Sequence, residues 1–264
     1  MKNCSIYSFI LCLFIFTTVI AQEKFSSFDG TTIAYVDEGE GTPIVLIHGF
    51  INDASSWNGT VIKKQLLDLG YRVIIPDLRG NGLSEKPTDE KSFQDNAEIK
   101  DLKALLNHLH IESTIALGYS RGAIVLAKWL TEDPRISKAI IGGMGLDFSN
   151  PDWDKRIIFE RAFLGLDPLN EMTEGAVTYA KSKNADLKIL GWSQRYQPVT
   201  SKKELSEIKI PTLIIAGDQD TDNGNPKELA ELIPNATLII IPGDHNTTYR
   251  KEPFATAVMR FLKK

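Results

Sequence analysis

A chain of 264 residues with 42% hydrophobic and 24% charged residues is long enough for one large core, and its composition gives no reason for two. Its 30 basic and 34 acidic residues are interspersed, without a basic stripe or an aromatic platform, so nucleic acid is excluded as an expected partner. Both cysteines, Cys4 and Cys12, fall in the amino-terminal apolar segment, which leaves the remainder of the chain without thiol or disulfide.

In chain order, the first signal is Lys2 followed by a nearly unbroken apolar run from Ile6 to Ile20, ending in Val19-Ile20-Ala21 before Gln22. The run falls short of the ~20 apolar residues of a spanning helix. Its positive start and small-residue end predict a secretory signal peptide over residues 1–21, with cleavage before Gln22. The expectation is an exported protein, periplasmic or extracellular, without stable membrane insertion after cleavage; a retained anchor is the alternative. A lipid-modified Cys12 is disfavoured because Phe9-Ile10-Leu11 lacks small residues.

Beyond the leader, Lys24–Phe28 and Thr32–Val36 flank Asp29-Gly30, a connection too short for a parallel crossover, and therefore predict a hairpin. Short apolar runs follow at Pro43–Ile47, Arg72–Ile75, Thr114–Leu117, Lys138–Ile141, Thr212–Ala216 and Thr237–Ile241. Helical spacing fills the gaps, as in Val61, Leu66, Leu67 and Leu69, then Ile99, Leu102, Leu105, Leu106 and Leu109. This alternation predicts an α/β fold, a mostly parallel eight-stranded sheet with an antiparallel start and helices on both faces. Residues 22–264 then form one domain. The interval at about 146–208 has amphipathic helical pieces but no strand and reads as a small helical cap inserted over one end of the sheet.

Gly118-Tyr119-Ser120-Arg121-Gly122 joins the strand Thr114–Leu117 to a helical stretch, Ala123–Leu130. That is the context in which G-x-S-x-G signifies a nucleophile, since a sharp strand-to-helix turn leaves room only for very small residues two places either side of the serine. Away from such a turn the same pattern is a glycine-rich loop with an N-capping serine. Two further stretches extend the pattern: His48-Gly49-Phe50 at the end of a strand, and Asp77-Leu78-Arg79-Gly80-Asn81-Gly82-Leu83-Ser84. Together, from about Phe25 to Leu262, the chain resembles the α/β-hydrolase family. The resemblance implies Ser120 as nucleophile and the backbone N–H groups of Phe50 and Arg121 as an oxyanion hole.

A serine hydroxyl needs a base, and the base needs a group to hold it. Of the four histidines, His108 and His110 end a helix ahead of the Ser120 strand and are expected at the far edge of the sheet; His48 suits a loop-fixing hydrogen bond. His245, in Pro242-Gly243-Asp244-His245 after the last strand, occupies the place of the family's catalytic histidine. The acid lies in Gly217-Asp218-Gln219-Asp220, where the family's G-x-x-D pattern selects Asp220 over Asp218, with Asp222 farther into the loop. The order Ser, acid, His agrees with that family.

Arg121 and Asp244 depart from the uncharged residues of many relatives, as peripheral ion pairs or, for Arg121, as an attractor of an anionic substrate. Trp153, Phe159, Phe163, Trp192 and Tyr196 in the cap are candidate walls of an acyl pocket or anchors of the cap to the sheet. The expected activity is carboxylesterase chemistry on small to medium acyl esters, through an acyl-enzyme. A peptidase, a perhydrolase, a carbon–carbon bond hydrolase or a binding-only relative would carry the same three residues. Neither a phosphate-cradling glycine motif nor a His and Cys cluster with metal spacing is present in the sequence, so no cofactor and no metal are expected, and the oligomeric state stays open.

Overall fold

The computed structural model describes residues 22–264, so the expected leader lies outside the described residues. Eight strands form one sheet: β1 Glu23–Ser26, β2 Thr32–Glu38, β3 Pro43–Ile47, β4 Arg72–Pro76, β5 Thr114–Tyr119, β6 Ile136–Gly142, β7 Thr212–Gly217 and β8 Ala236–Ile241. Their spatial order is β1-β2-β4-β3-β5-β6-β7-β8. The pairs β1–β2 and β2–β4 are antiparallel and all others parallel. The helices are α1 Val61–Asp68, α2 Ala97–His108, α3 Arg121–Glu132, α4 Asp154–Phe163, α5 Glu174–Ser182, α6 Leu187–Arg195, α7 Lys202–Ser206, α8 Pro226–Leu232 and α9 Glu252–Leu262.

The central strands are solidly apolar because both their faces are covered. Successive residues point to opposite sides. Val45, Ile47, Ile74, Ala116, Ile141 and Ile214 meet the apolar faces of α2, α3 and α8, while their neighbours Ile44, Leu46, Val73, Leu117, Leu213 and Ile215 meet α1 and α9. The expected first strand ends two residues early: Ser27 N–H bonds Thr31 O at 2.9 Å and closes the turn there, leaving Phe28 half exposed over the Arg79 guanidinium.

Between β6 and β7, helices α4, α5 and α6 gather over the carboxyl ends of the strands. Their own small core joins Phe163, Val177, Ala180 and Leu190 to Ile51 of the loop after β3. Helix α7 behaves differently. Its Leu205, with Ile208 just beyond, is buried in the main core on the α2 and α3 side, and Ser201 and Glu204 cap it reciprocally.

The loop after β4 is built from charges. Asp77 accepts the N–H groups of Ala54 at 2.6 Å and Leu83 at 2.7 Å. Gly82 is at φ 50°, and a Cβ there would run into the Asp77 carboxylate. Ser84 Oγ donates to Asp77 O and accepts from Ala34 N–H, tying the loop to β2. Arg79, fully buried, grips Asp101 of α2 through two bonds of 2.7 and 2.6 Å and reaches Asp29 at 3.0 Å. Burial pushes the Asp101 carboxyl up, and Arg79 pulls it back. Replacing Arg79 by Met keeps the volume but strands Asp101, so Arg79→Met is expected to cost about 3–5 kcal/mol of folding free energy in urea titrations.

Candidate active site

The site forms where β5 gives way to α3. Strand β5 runs through Tyr119, two residues further than its apolar run, because Ser120 N–H still bonds Gly142 O at 2.9 Å. The chain then reverses with Ser120 at φ 56° and ψ −126°, a region that costs a non-glycine residue free energy and that surrounding structure must enforce. The enforcement is visible in the glycines. A Cβ on Gly118 would collide with the Gly122 carbonyl oxygen, and one on Gly122 with that of Ile47. Three segments therefore touch backbone to backbone, and Ser120 is raised above the sheet.

His245 and Asp220 arrive from the last two strands. Asp220 follows β7 and is buried; His245 follows β8. His245 Nε2 lies 2.9 Å from Ser120 Oγ, and Nδ1 lies 2.9 Å from Asp220 Oδ2. Asp218 is engaged elsewhere, accepting Gly243 N–H at 2.9 Å, and the Asp222 side chain is exposed. Tyr119 supports the histidine from below: its hydroxyl donates to His245 O at 2.7 Å, its ring lies 5.5 Å from the imidazole, and burial pushes its phenol up.

Phe50 and Arg121 line one cavity with Ser120, and neither backbone N–H has a hydrogen-bond acceptor among the described residues. Phe50 is fixed by its ring, packed edge-on against Phe163 at 5.1 Å and Phe159 at 6.0 Å. Ile51 follows at φ 60°, strained for a β-branched residue and held by the cap's core. His48 holds the same loop from the other side. Its Nδ1–H donates to Gly49 O at 2.9 Å, and its Nε2 accepts Leu78 N–H at 3.1 Å.

Both departures from the uncharged pattern are spent on structure. Arg121 is buried, not peripheral: it makes two bonds to Glu98 of α2 at 2.9 and 2.8 Å and a third to Ser193 O of α6 at 2.8 Å. The Asp244 carboxylate accepts Asn246 N–H, Thr247 N–H and the Thr247 hydroxyl, and those bonds hold it below the usual carboxylate range. His108 stacks on Phe25 at the β1 side of the sheet, away from Ser120.

A cavity of about 610 Å³ opens above Ser120 and His245, with Trp153 and Phe159 in its wall. Three of the five candidate aromatics do not line it. Phe163 stands behind Phe50 in the cap's core, while Trp192 and Tyr196, four residues apart on one side of α6, turn toward Phe93 and Gln94. The opposite side of α6 gives the cavity Gln194 instead. Residues the sequence did not single out, Lys155 and Asn223 among them, also line it. Asn223 Nδ2 lies 3.3 Å from both Gly143 O and His245 Nδ1. Among the described residues, the acids and histidines close enough to share a cation are Asp220, Asp222 and His245, a group that reuses the hydrogen-bonded pair beside Ser120.

Residues 42–159 match the family model for the alpha/beta hydrolase fold. A non-heme chloroperoxidase of Streptomyces lividans is 33% identical over 246 residues, covering 80% of this chain and 87% of its own. Among solved structures, a bromoperoxidase from Bacillus anthracis superposes with a TM-score of 0.71 at 25% identity, over 92% of this chain and 100% of its own. A thermophilic esterase from Thermogutta terrifontis gives 0.71 at 23% identity, over 92% and 98%, and supports the fold.

The His48 contacts make a pH prediction. Burial holds its pKa below the ordinary value, so the folded protein keeps it neutral while the unfolded chain protonates near pH ~6.5. Its contribution to stability is complete above that pH and lost as pH falls toward the folded value. Thermal melts of His48→Gln at a series of pH values are expected to start lower than the parent's near neutrality but to fall less on acidification from about pH 7 to about pH 5.

Proposed function

The chain belongs to the α/β-hydrolase fold family, and on that footing we propose that it is a serine hydrolase cleaving carboxylic esters of small to medium acyl groups. The observation that carries the reading is the run of two 2.9 Å contacts, Ser120 to His245 to Asp220, at the floor of the cavity. His245 takes the hydroxyl proton as Ser120 Oγ attacks the ester carbonyl carbon, and Asp220 fixes the imidazole tautomer and balances its charge. The Phe50 and Arg121 N–H groups receive the developing oxyanion, each donor worth about 2.7–4 kcal/mol in the transition state. Collapse of the tetrahedral intermediate expels the alcohol, which takes the proton from His245. Water, deprotonated by the same imidazole, then releases the acid and restores Ser120.

The haloperoxidase names of the relatives favour a second reading of the last step. Hydrogen peroxide attacking the acyl-enzyme in place of water gives a peroxy acid and free Ser120, with the same proton transfers. A peptidase and a carbon–carbon bond hydrolase share the first half-reaction and are separated from an esterase by substrate alone. The apolar leader supports export of the mature chain to the periplasm or the extracellular space.

Chromogenic acyl esters of increasing length test the proposal. The chain from Gln22 onward is expected to hydrolyse the short and medium members, Ser120→Ala and His245→Ala to abolish turnover, and Asp220→Asn to lower kcat by about 10⁴-fold. Asp218→Asn is expected to act mainly on stability. Turnover that survives in Ser120→Ala contradicts the mechanism, and stoichiometric binding without turnover identifies a binding-only relative.

A further inference from the structure

The charged residues lining the cavity are one-sided. Arg121, Lys155, Arg156 and Arg250 stand there against a single acid, Asp222, in a chain whose formal net charge is −4. Two of these cations are already used: Arg121 by Glu98, and Arg156 by the carbonyls of Pro151, Gln194 and Arg195, with Glu160 at 3.6 Å. Arg250 is exposed and lies against the Tyr249 ring.

Lys155 is different. Its ammonium donates to Asp222 O at 2.8 Å and Asn223 Oδ1 at 3.0 Å, both neutral amide oxygens, and forms no ion pair with a carboxylate among the described residues. Two physical terms work against a lysine at this place. Burial pulls its pKa down, opposed by the more distant Asp222, Asp220 and Asp147 carboxylates. It also sits in the first turn of α4, where the helix macrodipole disfavours a cation. An ammonium has three N–H donors, and two are occupied. Asn223 places it near the reacting groups, since the amide whose Oδ1 accepts from Lys155 has its Nδ2 3.3 Å from His245 Nδ1.

We infer that Lys155 is a specificity-determining residue whose ammonium receives a carboxylate carried by the substrate, so that the preferred esters are hemiesters of short dicarboxylic acids. The inference rests on the ester-hydrolase reading and names its substrate class. The acyl chain lies on Trp153 and Phe159 with its carbonyl at Ser120, and its far carboxylate takes the remaining Lys155 N–H. A neutral acyl group of the same length fills the same space but leaves that donor without an anion.

The test compares kcat/KM for the 4-nitrophenyl hemiesters of succinate, glutarate and adipate with that for neutral 4-nitrophenyl esters of equal chain length. The native chain is expected to favour the hemiester at one length or more. That ratio is expected to fall about tenfold or more in Lys155→Met, as a charge-assisted hydrogen bond is lost, and to recover partly in Lys155→Arg. In the native chain it also falls between about 0.01 M and about 1 M salt, as the screening length shrinks from roughly 30 Å to roughly 3 Å; this measurement serves if Lys155→Met does not fold. A ratio below one at every length, or one indifferent to both Lys155→Met and salt, overturns the inference. If no ester of either kind is hydrolysed, the ester-hydrolase reading is what fails. Calorimetry with monomethyl glutarate then decides the site by itself: binding weakened by Lys155→Met sustains it, and equal or absent binding in both chains removes it.

Discussion

Everything in this molecule that bears on chemistry hangs on one steric constraint, the contact of bare backbones where β5 turns into α3. Gly118 faces the main chain of Gly122, and Gly122 in turn abuts the carbonyls of Ile47 and His48. That closeness drives Ser120 into its costly φ and ψ and points its hydroxyl out of the sheet. It also holds the loop after β3 against the turn. The parallel sheet does the rest, because β7 and β8 end on the same side as β5 and deliver Asp220 and His245 to the serine.

Around this rigid centre the charges divide into two kinds. Those buried in the body, Arg79 with Asp101 and Arg121 with Glu98, are matched with two-point geometry, the arrangement in which a desolvated ion pair is tolerable. They fasten loops to α2. The charge in the cavity wall at Lys155 is hydrogen-bonded to amide oxygens, with no carboxylate in contact among the described residues. The sequence places an unusual cation beside the nucleophile at Arg121, and the fold turns that one inward and brings another, 34 positions later, to face the cavity.

How much of this was readable in advance follows from the range of the forces involved. The strands were legible because each is a short, fully buried apolar run, and the serine turn was legible because crowding demands glycines at fixed offsets. The first strand was placed two residues long because Phe28 is as apolar as a strand residue, yet the turn bond from Ser27 takes it out of the ladder. Asp218 and Asp220 could be ranked only by resemblance: both lie in one tight turn, and their separation into a strut for Gly243 and a partner for His245 is a matter of direction. The cap aromatics were the least legible. Whether Trp192 and Tyr196 face a cavity or a core depends on Phe93 and Gln94, about a hundred residues earlier, and no local pattern carries that information. Lys155 and Asn223 passed unnoticed because a lysine on a helix and an asparagine in a loop read as solvated surface.

The three bonds of Arg121 make the cap asymmetric. One guanidinium spans the nucleophile turn, the body helix α2 and, through Ser193 O, the cap helix α6. Helix α6 is therefore bolted to the catalytic turn by a buried charge, whereas α5 packs on it through the apolar side chains of Val177 and Ala180. The cap is not an interchangeable module: α4 is tied to α6 by Arg156 on the Gln194 and Arg195 carbonyls and by Glu160 on Arg195, so diversification of substrate range has its freedom in α5, while exchanging α6 also alters the support beneath the serine.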